Sequence, residues 1–432
     1  MLIDQIKKAL KPSIPRESMP EAGLRHYERE VKGEPVRYHL RVDNDGSGLL
    51  IANAAAACRL SPTGVVIAEG LLEGEKDKVI QKRVARSFSG VDDATIAKDL
   101  ERVRKTIDDM AFPGGRYPLL NLDDPGTSSR GRALAAPLAA EMGIDGTGDP
   151  SARIDKLWQV AVPQVVLIHL PGAPPEKLIE GVERAEDHGL IAGVRAPATD
   201  LLENDLLARL VRVGLDHVDV YWASADASRH DELFGAGDHD AARKVFRSCK
   251  EMEVCPVAVV PIVAGSLEGL EETIGSLRSM DVGAATLFAL AQKEGTDPLG
   301  GLEPGALRQA AVTAEEVADR LHMNMIFAPP VERDPNQTLK EQLRRGPRAA
   351  GEAAIRITPD GSVIPPHGPR KSVGNILKEP FETIWNQDAF RHLREAVAEP
   401  DTCDQCPGLA ACVGGCIANP DVWARIETSE EA

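Results

Sequence analysis

The chain has 432 residues, 43% of them hydrophobic, and is therefore long enough for two or three domains with a sizeable core. Its formal net charge of −17 argues against a nucleic-acid-binding surface, because phosphate repels an acidic protein that lacks a concentrated basic stripe. The sequence contains neither a signal-peptide apolar run nor a membrane-length stretch, which predicts a cytoplasmic protein with reduced cysteines.

The first predicted domain spans residues 37–112 and follows an N-terminal segment, residues 1–36, whose first ten residues are amphipathic. Two candidate strands, 37–42 and 49–51, flank Asn44, Asp45 and Gly46, a turn sequence that favours a β-hairpin. Three helices are predicted next, the first beginning near Ser61 and Pro62. The third carries an apolar stripe with helical spacing, formed by Ile96, Leu100, Val103, Ile107 and Met110. The pattern predicts a β-hairpin and three-helix domain of winged-helix type.

The second predicted domain, residues 113–350, alternates apolar strands with helices. The candidate strands are residues 118–122, 165–170, 191–196, 217–223, 256–263, 284–290 and 325–331. Continuous apolar strands separated by amphipathic helices indicate a parallel sheet, and here a partial (β/α) barrel. Functional residues of such folds lie on the loops that follow the strands.

The third predicted domain, residues 351–432, holds the strongest chemical signal in the chain. Four of the seven cysteines form the array Cys403-x2-Cys406-x5-Cys412-x3-Cys416, in a loop rich in glycine. Thiolates spaced this closely can converge on one centre, which predicts a structural zinc or a 4Fe-4S iron-sulfur cluster.

The third domain resembles a SPASM domain, the C-terminal auxiliary-cluster module of radical S-adenosylmethionine (SAM) enzymes. The resemblance rests on the hairpin at 355–364, the phrases Val-Gly-Asn-Ile and Glu-Thr-Ile-Trp, and the cysteine array with Gly414 and Gly415 before its last member. It implies that the second domain is the radical SAM partial barrel. The residues after Trp222, through Ser224, Asp226 and His230, are similar to a strand end of that family.

The first domain resembles the PqqD-like peptide-recognition domains that accompany maturation enzymes of ribosomally made peptides, on its order and the phrases at 49–53 and 60–64. This resemblance implies that a precursor peptide adds as a strand to the exposed edge of the hairpin. A winged-helix domain that only braces its neighbour is the alternative.

The chain departs from the radical SAM pattern at the residues that make the family enzymes. The family carries Cys-x3-Cys-x2-Cys after its first strand, whereas the corresponding residues 123–129 contain no cysteine. Ala173 and Pro174 replace the Glu-Pro of the SAM-contact loop, so SAM is not expected to bind. Cys249 and Cys255 are expected to be core residues, and Cys58 stands alone.

The SPASM-like module is also reduced. Pro366 or His367 stands where the family has a further cysteine, and none follows Cys416. Regrouping of the four thiolates into a single site is therefore the economical prediction, with His367 as a less favoured ligand. His230-Asp231 and His239-Asp240 are not expected to form dyads, because adjacent residues point apart.

The sequence therefore predicts a noncatalytic relative of radical SAM/SPASM maturation proteins, with no catalytic residues, that binds a precursor peptide or a partner protein, such as an active maturase. One alternative is an active radical SAM/SPASM peptide- or protein-modifying enzyme that uses iron-sulfur clusters. Another is a metal-stabilised structural subunit of a larger complex. The oligomeric state, the client and the pathway stay open.

Overall fold

The structure is a computed structural model that describes residues 19–53, 56–111, 136–292, 300–348, 354–366, 368 and 370–390. The chain divides into two compact units, Met1–Pro113 and Gly114–Ala432. The two units are described separately below. Among the described residues, no helix is both long and apolar enough to cross a membrane.

The first unit is built on a four-stranded antiparallel sheet. Its strands are β1 (Gly23–Val31), β2 (Glu34–Val42), β3 (Gly48–Ala52) and β4 (Ala56–Leu60), and they lie in chain order. The predicted hairpin is β2 and β3, joined around the turn at Gly46, whose φ is +83°. Strand β1, in the predicted N-terminal segment, and strand β4 were not expected from the sequence pattern.

The edges of this sheet differ from the expectation. Strand β2 pairs with β1 along nine residues, and β3 pairs with β4, so both strands of the predicted hairpin are interior. The expectation that the hairpin itself offers an open edge is wrong. Among the described residues, the edges are β1 and β4.

Three helices pack on one side of the sheet. They are α1 (Pro62–Leu72), α2 (Asp77–Ser87) and α3 (Asp93–Ala111). Ser61 caps α1 by accepting a hydrogen bond from the Gly64 amide at 3.2 Å. The predicted apolar stripe of α3 is fully buried in a core shared with the sheet. The hydroxyl of Tyr38 on β2 donates to the Ile107 carbonyl at 3.2 Å and fixes α3 to the sheet.

The second unit contains a ten-stranded, mostly parallel sheet. Seven parallel strands follow in order: β5 (Ala139–Ile144), β6 (Gln164–His169), β7 (Ile191–Arg195), β8 (His217–Tyr221), β9 (Cys255–Ile262), β10 (Ala284–Ala291) and β11 (Asn324–Phe327). The short β12 (Val331–Glu332) also pairs with β10. On the far side of β5, β13 (Ala354–Ile357) pairs in parallel and continues to its hairpin partner β14 (Val363–Ile364).

Helices connect the strands of this sheet, and the last helix follows the last strand. They are α4 (Pro150–Gln159), α5 (Pro175–Asp187), α6 (Ala198–Leu202), α7 (Leu206–Arg212), α8 (Ala227–Phe234), α9 (Asp238–Glu251), α10 (Leu270–Ser279), α11 (Pro304–Leu321), α12 (Leu339–Arg345) and α13 (Phe381–Trp385). Short 3-10 turns lie at Glu203–Asp205 and Ala264–Ser266. Helical crossovers between adjacent parallel strands are the connections expected of a β/α barrel.

The sheet corrects the predicted position of the first barrel strand. Residues 118–122 lie outside the described residues, whereas the strand that pairs with β6 is β5, which was not expected. Its sequence, Ala-Ala-Glu-Met-Gly-Ile, carries a charge in its middle and therefore lacks the continuous apolar run that marked the other strands. The predicted strand at 325–331 is two short strands, β11 and β12.

Candidate functional site at the mouth of the half-barrel

The loop that follows β5 is short and closed on itself. This β5 loop consists of residues 145–149, because β5 ends at Ile144 and α4 begins at Pro150. The Asp145 carboxylate accepts from the Thr147 amide at 2.8 Å and the Gly148 amide at 3.1 Å. These side-chain to backbone hydrogen bonds satisfy backbone amides of the loop from within the loop itself. The loop contains no cysteine.

Arg153 lies next to the β5 loop and links it to a second turn. Its side chain is 1% exposed, and its Nη1 donates to the carbonyls of Gly143 at 2.7 Å and Thr358 at 3.1 Å. Burial lowers the pKa of Arg153 to about 10, although Asp145 and Asp149 nearby oppose that shift. The guanidinium therefore joins the end of β5 to the turn after β13.

The loop that follows β6 is a tight turn. This β6 loop, residues 170–174, is closed by a bond from the Ala173 amide to the Leu170 carbonyl at 3.0 Å. Pro171 and Gly172 occupy the centre, and Gly172 has φ +79°, as a type II turn requires. The loop stands where the radical SAM resemblance places the SAM contact.

His169, which the sequence pattern did not single out, lies between this loop and α6. The Nε2 atom of His169 is 3.0 Å from the Ala173 carbonyl oxygen, and its Nδ1 atom is 3.0 Å from Oδ2 of Asp200 on α6. The bond to Asp200 raises the pKa of His169, and burial opposes the rise. One feature of the sequence could have identified this histidine: it is a polar residue that directly follows an apolar run at the end of a predicted strand.

A buried charged network lies on one face of the sheet. Leu167 faces Gly181 of α5 on one face of the sheet. Arg195 pairs with Ile168, the next residue along β6, and with Asp219 on β8. Because successive residues of a strand point to opposite faces, Arg195 and Asp219 lie on the face away from α5. Arg195 donates through Nη2 to Asp219 at 2.9 Å and to Glu141 at 3.1 Å. All three side chains are at most 5% exposed. We call Glu141, Arg195, Asp219 and Arg356 the inner charge network; Nη2 of Arg356 lies 3.5 Å from Glu141.

The charges of this network stabilise one another. Burial alone would raise the pKa of Asp219, but the charge of Arg195 and the hydrogen bonds from His217 and Arg195 together outweigh burial and place that pKa below its usual range. Burial likewise lowers the pKa of Arg356 to about 10, while Glu141 acts in the opposite direction. His217 adds a further contact, with Nδ1 3.1 Å from Asp219 and Nε2 3.2 Å from the Gln164 amide nitrogen. The network therefore holds two guanidinium groups against two carboxylates.

Helix α12 covers the next layer of the same face. Its Leu343 is fully buried in a hydrophobic core with Tyr221, Phe234 and Phe288. The Tyr221 hydroxyl donates to the Arg344 carbonyl at 3.0 Å, and burial raises the pKa of Tyr221 to about 12. The chain's own residues therefore fill this part of the inner face.

The segment after β8 has a structural role in the described residues. Asp226 caps α8 by accepting from the Arg229 amide, and His230 is fully buried, with Nε2 3.0 Å from Asp238. Asp231 instead accepts hydrogen bonds from backbone amides, including that of His239 at 2.9 Å. The prediction that neighbouring His and Asp residues do not pair as dyads is confirmed for His230 and Asp231.

The cysteines divide between described and undescribed parts of the chain. Cys403, Cys406, Cys412 and Cys416 lie outside the described residues, as does His367. Cys249 is fully buried on α9, and burial raises the pKa of its thiol to about 12, as expected of a core residue. Within the part of the chain that the structure describes, no group of His, Cys, Asp and Glu could hold a metal ion.

Sequence comparison finds two kinds of relative. Residues 349–407 match the SPASM family, described as an iron-sulfur cluster-binding domain. PqqA peptide cyclase from Granulibacter bethesdensis is 23% identical over 269 residues, which cover 58% of this chain and 69% of the relative. PqqA peptide cyclase from Ruegeria pomeroyi is 23% identical over 270 residues, with the same coverage.

Structure comparison finds similar folds over nearly the whole chain. Streptococcus suis SuiB bound to S-adenosylmethionine matches with a TM-score of 0.53 and 14% identity, covering 90% of this chain and 97% of SuiB. SuiB bound to its precursor peptide SuiA matches with a TM-score of 0.53 and 13% identity, covering 92% and 98%. The predicted fold class, a partial (β/α) barrel of radical SAM type with a SPASM module, is confirmed. The chain is therefore similar to these proteins in its SPASM segment and in its fold.

Proposed function

We propose that this protein is a noncatalytic relative of radical SAM/SPASM peptide-maturation enzymes that binds a precursor peptide or a partner protein. The β5 loop is the observation that carries this proposal. A Cys-x3-Cys-x2-Cys motif extends over more residues than the whole loop from 145 to 149, and the loop offers no thiolate. Residues 145–149 therefore do not fit a catalytic cluster, and without one SAM has no electron source for reductive cleavage.

Two further features support the absence of radical chemistry. In the β6 loop, Ala173 replaces the glutamate of the family, and its carbonyl oxygen already lies within hydrogen-bond distance of His169. On the inner face of the sheet, the inner charge network and Leu343 of α12 occupy the layers toward the strand ends, where ligands of barrel enzymes bind.

The peptide-binding surface is proposed at strand β4. In the PqqD-like resemblance a peptide adds as a strand to a sheet edge, and β4 (Ala56–Leu60) is the edge next to α3. The opposite edge, β1, is tied to α1 by Arg25, whose Nε lies 3.0 Å from Glu69, and by Arg29, which donates to the Leu71 carbonyl at 2.9 Å.

The metal centre is proposed at Cys403, Cys406, Cys412 and Cys416, as one four-thiolate site for zinc or a 4Fe-4S cluster. Iron, sulfide and zinc per chain, measured after anaerobic purification, distinguish the two. Replacing Cys406 by Ser should remove most of the metal, because the site loses a ligand. Replacing the buried Cys249 by Ser is the matched control and should leave the metal content unchanged. Equal metal in both variants would contradict the assignment.

An active radical SAM/SPASM peptide-modifying enzyme is the second candidate, favoured by the similarity to the PqqA peptide cyclases. The two candidates differ in one assay. The anaerobically reconstituted chain is incubated with dithionite and SAM, and deoxyadenosine is quantified by chromatography. The noncatalytic proposal expects no deoxyadenosine above a protein-free control. Formation of deoxyadenosine by the chain, lost with its iron, would establish the enzyme.

Peptide binding is tested by site-specific crosslinking in cells. A photoreactive benzoylphenylalanine replaces Ala57 on β4 in the full chain, and the matched control places it at Glu28 on β1. Adducts identified by mass spectrometry as one peptide or protein at position 57, and absent at position 28, would support the proposed surface. Equal adducts at both positions, or none at position 57, would contradict it.

A further inference from the structure

His169 joins two loops at the mouth of the half-barrel. It ends β6, and its side chain is 11% exposed. One ring nitrogen lies 3.0 Å from the Ala173 carbonyl oxygen in the β6 loop, and the other lies 3.0 Å from the Asp200 carboxylate on α6. These two groups follow different strands, β6 and β7.

The chemistry of the two partners determines how many protons the imidazole ring must carry. A backbone carbonyl and an ionised carboxylate both accept hydrogen bonds and donate none. A neutral imidazole has one N–H and can satisfy only one of them, whereas an imidazolium has two N–H donors and satisfies both. We infer that protonated His169 is a clamp that joins the β6 loop to α6, and that the clamp opens when the ring loses a proton.

The clamp acts on a turn whose other bonds are few. The Ala173 amide donates to the Leu170 carbonyl at 3.0 Å, and the Leu170 amide donates to the Ile144 carbonyl at 3.0 Å. On the other side, the Asp200 amide donates to the Pro197 carbonyl at 3.1 Å. The single proton of the neutral ring stays toward the ionised Asp200, which is the stronger acceptor, so deprotonation releases the bond to Ala173 and frees the turn.

Asp200 is the charged group that acts on the ring. The other charged groups on the adjacent elements have their own partners. On α5, Glu176 accepts a hydrogen bond from Arg209, and Lys177 donates to Glu180. In the β5 loop, Asp145 accepts hydrogen bonds from the amides of Thr147 and Gly148. The bond to Asp200 is the main cause that raises the pKa of His169 above its usual 6.5, against the effect of burial.

The sign of the pH dependence follows from this direction. A histidine with a raised pKa in the folded state contributes stability that is fully present below the unfolded pKa and lost as the pH rises through the folded pKa. The clamp is therefore closed in mildly acidic solution and opens as the pH rises through the pKa of His169. Access to this edge of the barrel mouth increases in the same direction.

The test follows the ring and the loop in the same sample of full-length protein. Nitrogen-detected NMR of the histidine side chains counts the protons on His169, and amide hydrogen exchange measures the protection of Ala173. We expect two ring protons below the transition. We also expect protection of the Ala173 amide, relative to intrinsic exchange, to fall by roughly tenfold or more with the same midpoint, as for loss of a charge-assisted hydrogen bond.

Two variants separate the clamp from general effects of pH. Asp200→Asn keeps the side-chain size but removes the charge, and should lower the pKa of His169 and move the Ala173 transition to lower pH. Asp155→Asn is the matched control: it breaks the 2.7 Å pair between Asp155 and His188 at the far end of α5 and should leave the Ala173 transition in place. A ring with a single proton throughout, or Ala173 protection that does not follow the His169 titration in the wild type, would overturn the inference.

Discussion

Replacing Arg195 by Met tests whether the inner charge network stabilises the half-barrel. Methionine retains the length of the side chain but removes the guanidinium that contacts Asp219 and Glu141. Both carboxylates stay in place, at 5% and 2% exposure, and lose their main positive neighbour. The variant therefore leaves buried charge without its counterpart, which differs from removing the whole network.

The expected loss in the free energy of unfolding is about 3 to 5 kcal/mol, the range for breaking a buried ion pair by removing one partner. This is a large part of the stability of a typical domain. The matched control is Arg184→Met. Arg184 lies closer to its carboxylate, with Nε 2.7 Å from Asp155, but both side chains are 36% exposed. Solvent screens that pair, so the control should lose less than about 1 kcal/mol.

The assay is urea unfolding followed by tryptophan fluorescence. All four tryptophans lie in the second unit, Gly114–Ala432, so the signal reports on that unit. The pH dependence provides a second readout. Wild-type Asp219 has a lowered pKa and contributes stability that is lost as the pH falls through that pKa. In Arg195→Met the pKa of Asp219 should rise, so the difference from the wild type should shrink between about pH 7 and pH 5.

The reasoning would be refuted if Arg195→Met and Arg184→Met lost equal stability, or if the loss for Arg195→Met did not depend on pH. A double variant adds an independent check. Asp219→Asn removes one of the uncompensated charges, so adding it to Arg195→Met should recover stability relative to the sum of the single losses, by roughly 0.5 to 3 kcal/mol of coupling.

The remaining predictions concern packing. Gly193→Ala should destabilise the second unit by roughly 1 to 3 kcal/mol in the same urea assay, because its Cβ would lie 2.1 Å from Cε1 of His217; an unchanged midpoint would contradict this. Gly275→Ala on α10 meets nothing within 4 Å and should instead stabilise by about 0.5 to 1 kcal/mol. Tyr38→Phe should reduce protection of α3 in hydrogen exchange by about 1 kcal/mol, since it removes the bond to Ile107, and equal protection would count against that bond.

Local sequence patterns predicted much of the fold. Apolar runs located β6, β7, β9 and β10, because a strand buried on both faces needs mostly apolar side chains on both, and β8 was located although it carries His217 and Asp219. The stripe from Ile96 to Met110 located α3 and its buried face for the same reason, at helical spacing. The strands that were missed carry polar residues: Glu141 interrupts β5, and β1 exposes Glu28 and Glu30.

The contacts of the candidate site were not predictable from the sequence. What the sequence shows is that Ala173 stands where the resemblance to the radical SAM family expects a glutamate. The position of the loop at residues 145–149 was not predictable, because it depends on which strand pairs with β6.

Local periodicity and short motifs were thus enough to predict the partial-barrel fold class, the SPASM-like module and the order of most strands. The contact of Arg195 with Glu141, 54 positions away in the sequence, and that of His169 with Asp200, 31 positions away, depend instead on how the chain folds. Such contacts arise when parallel strands align their ends at one edge of a sheet. The register that aligns them is a property of the whole sheet, and no single segment of the chain specifies it.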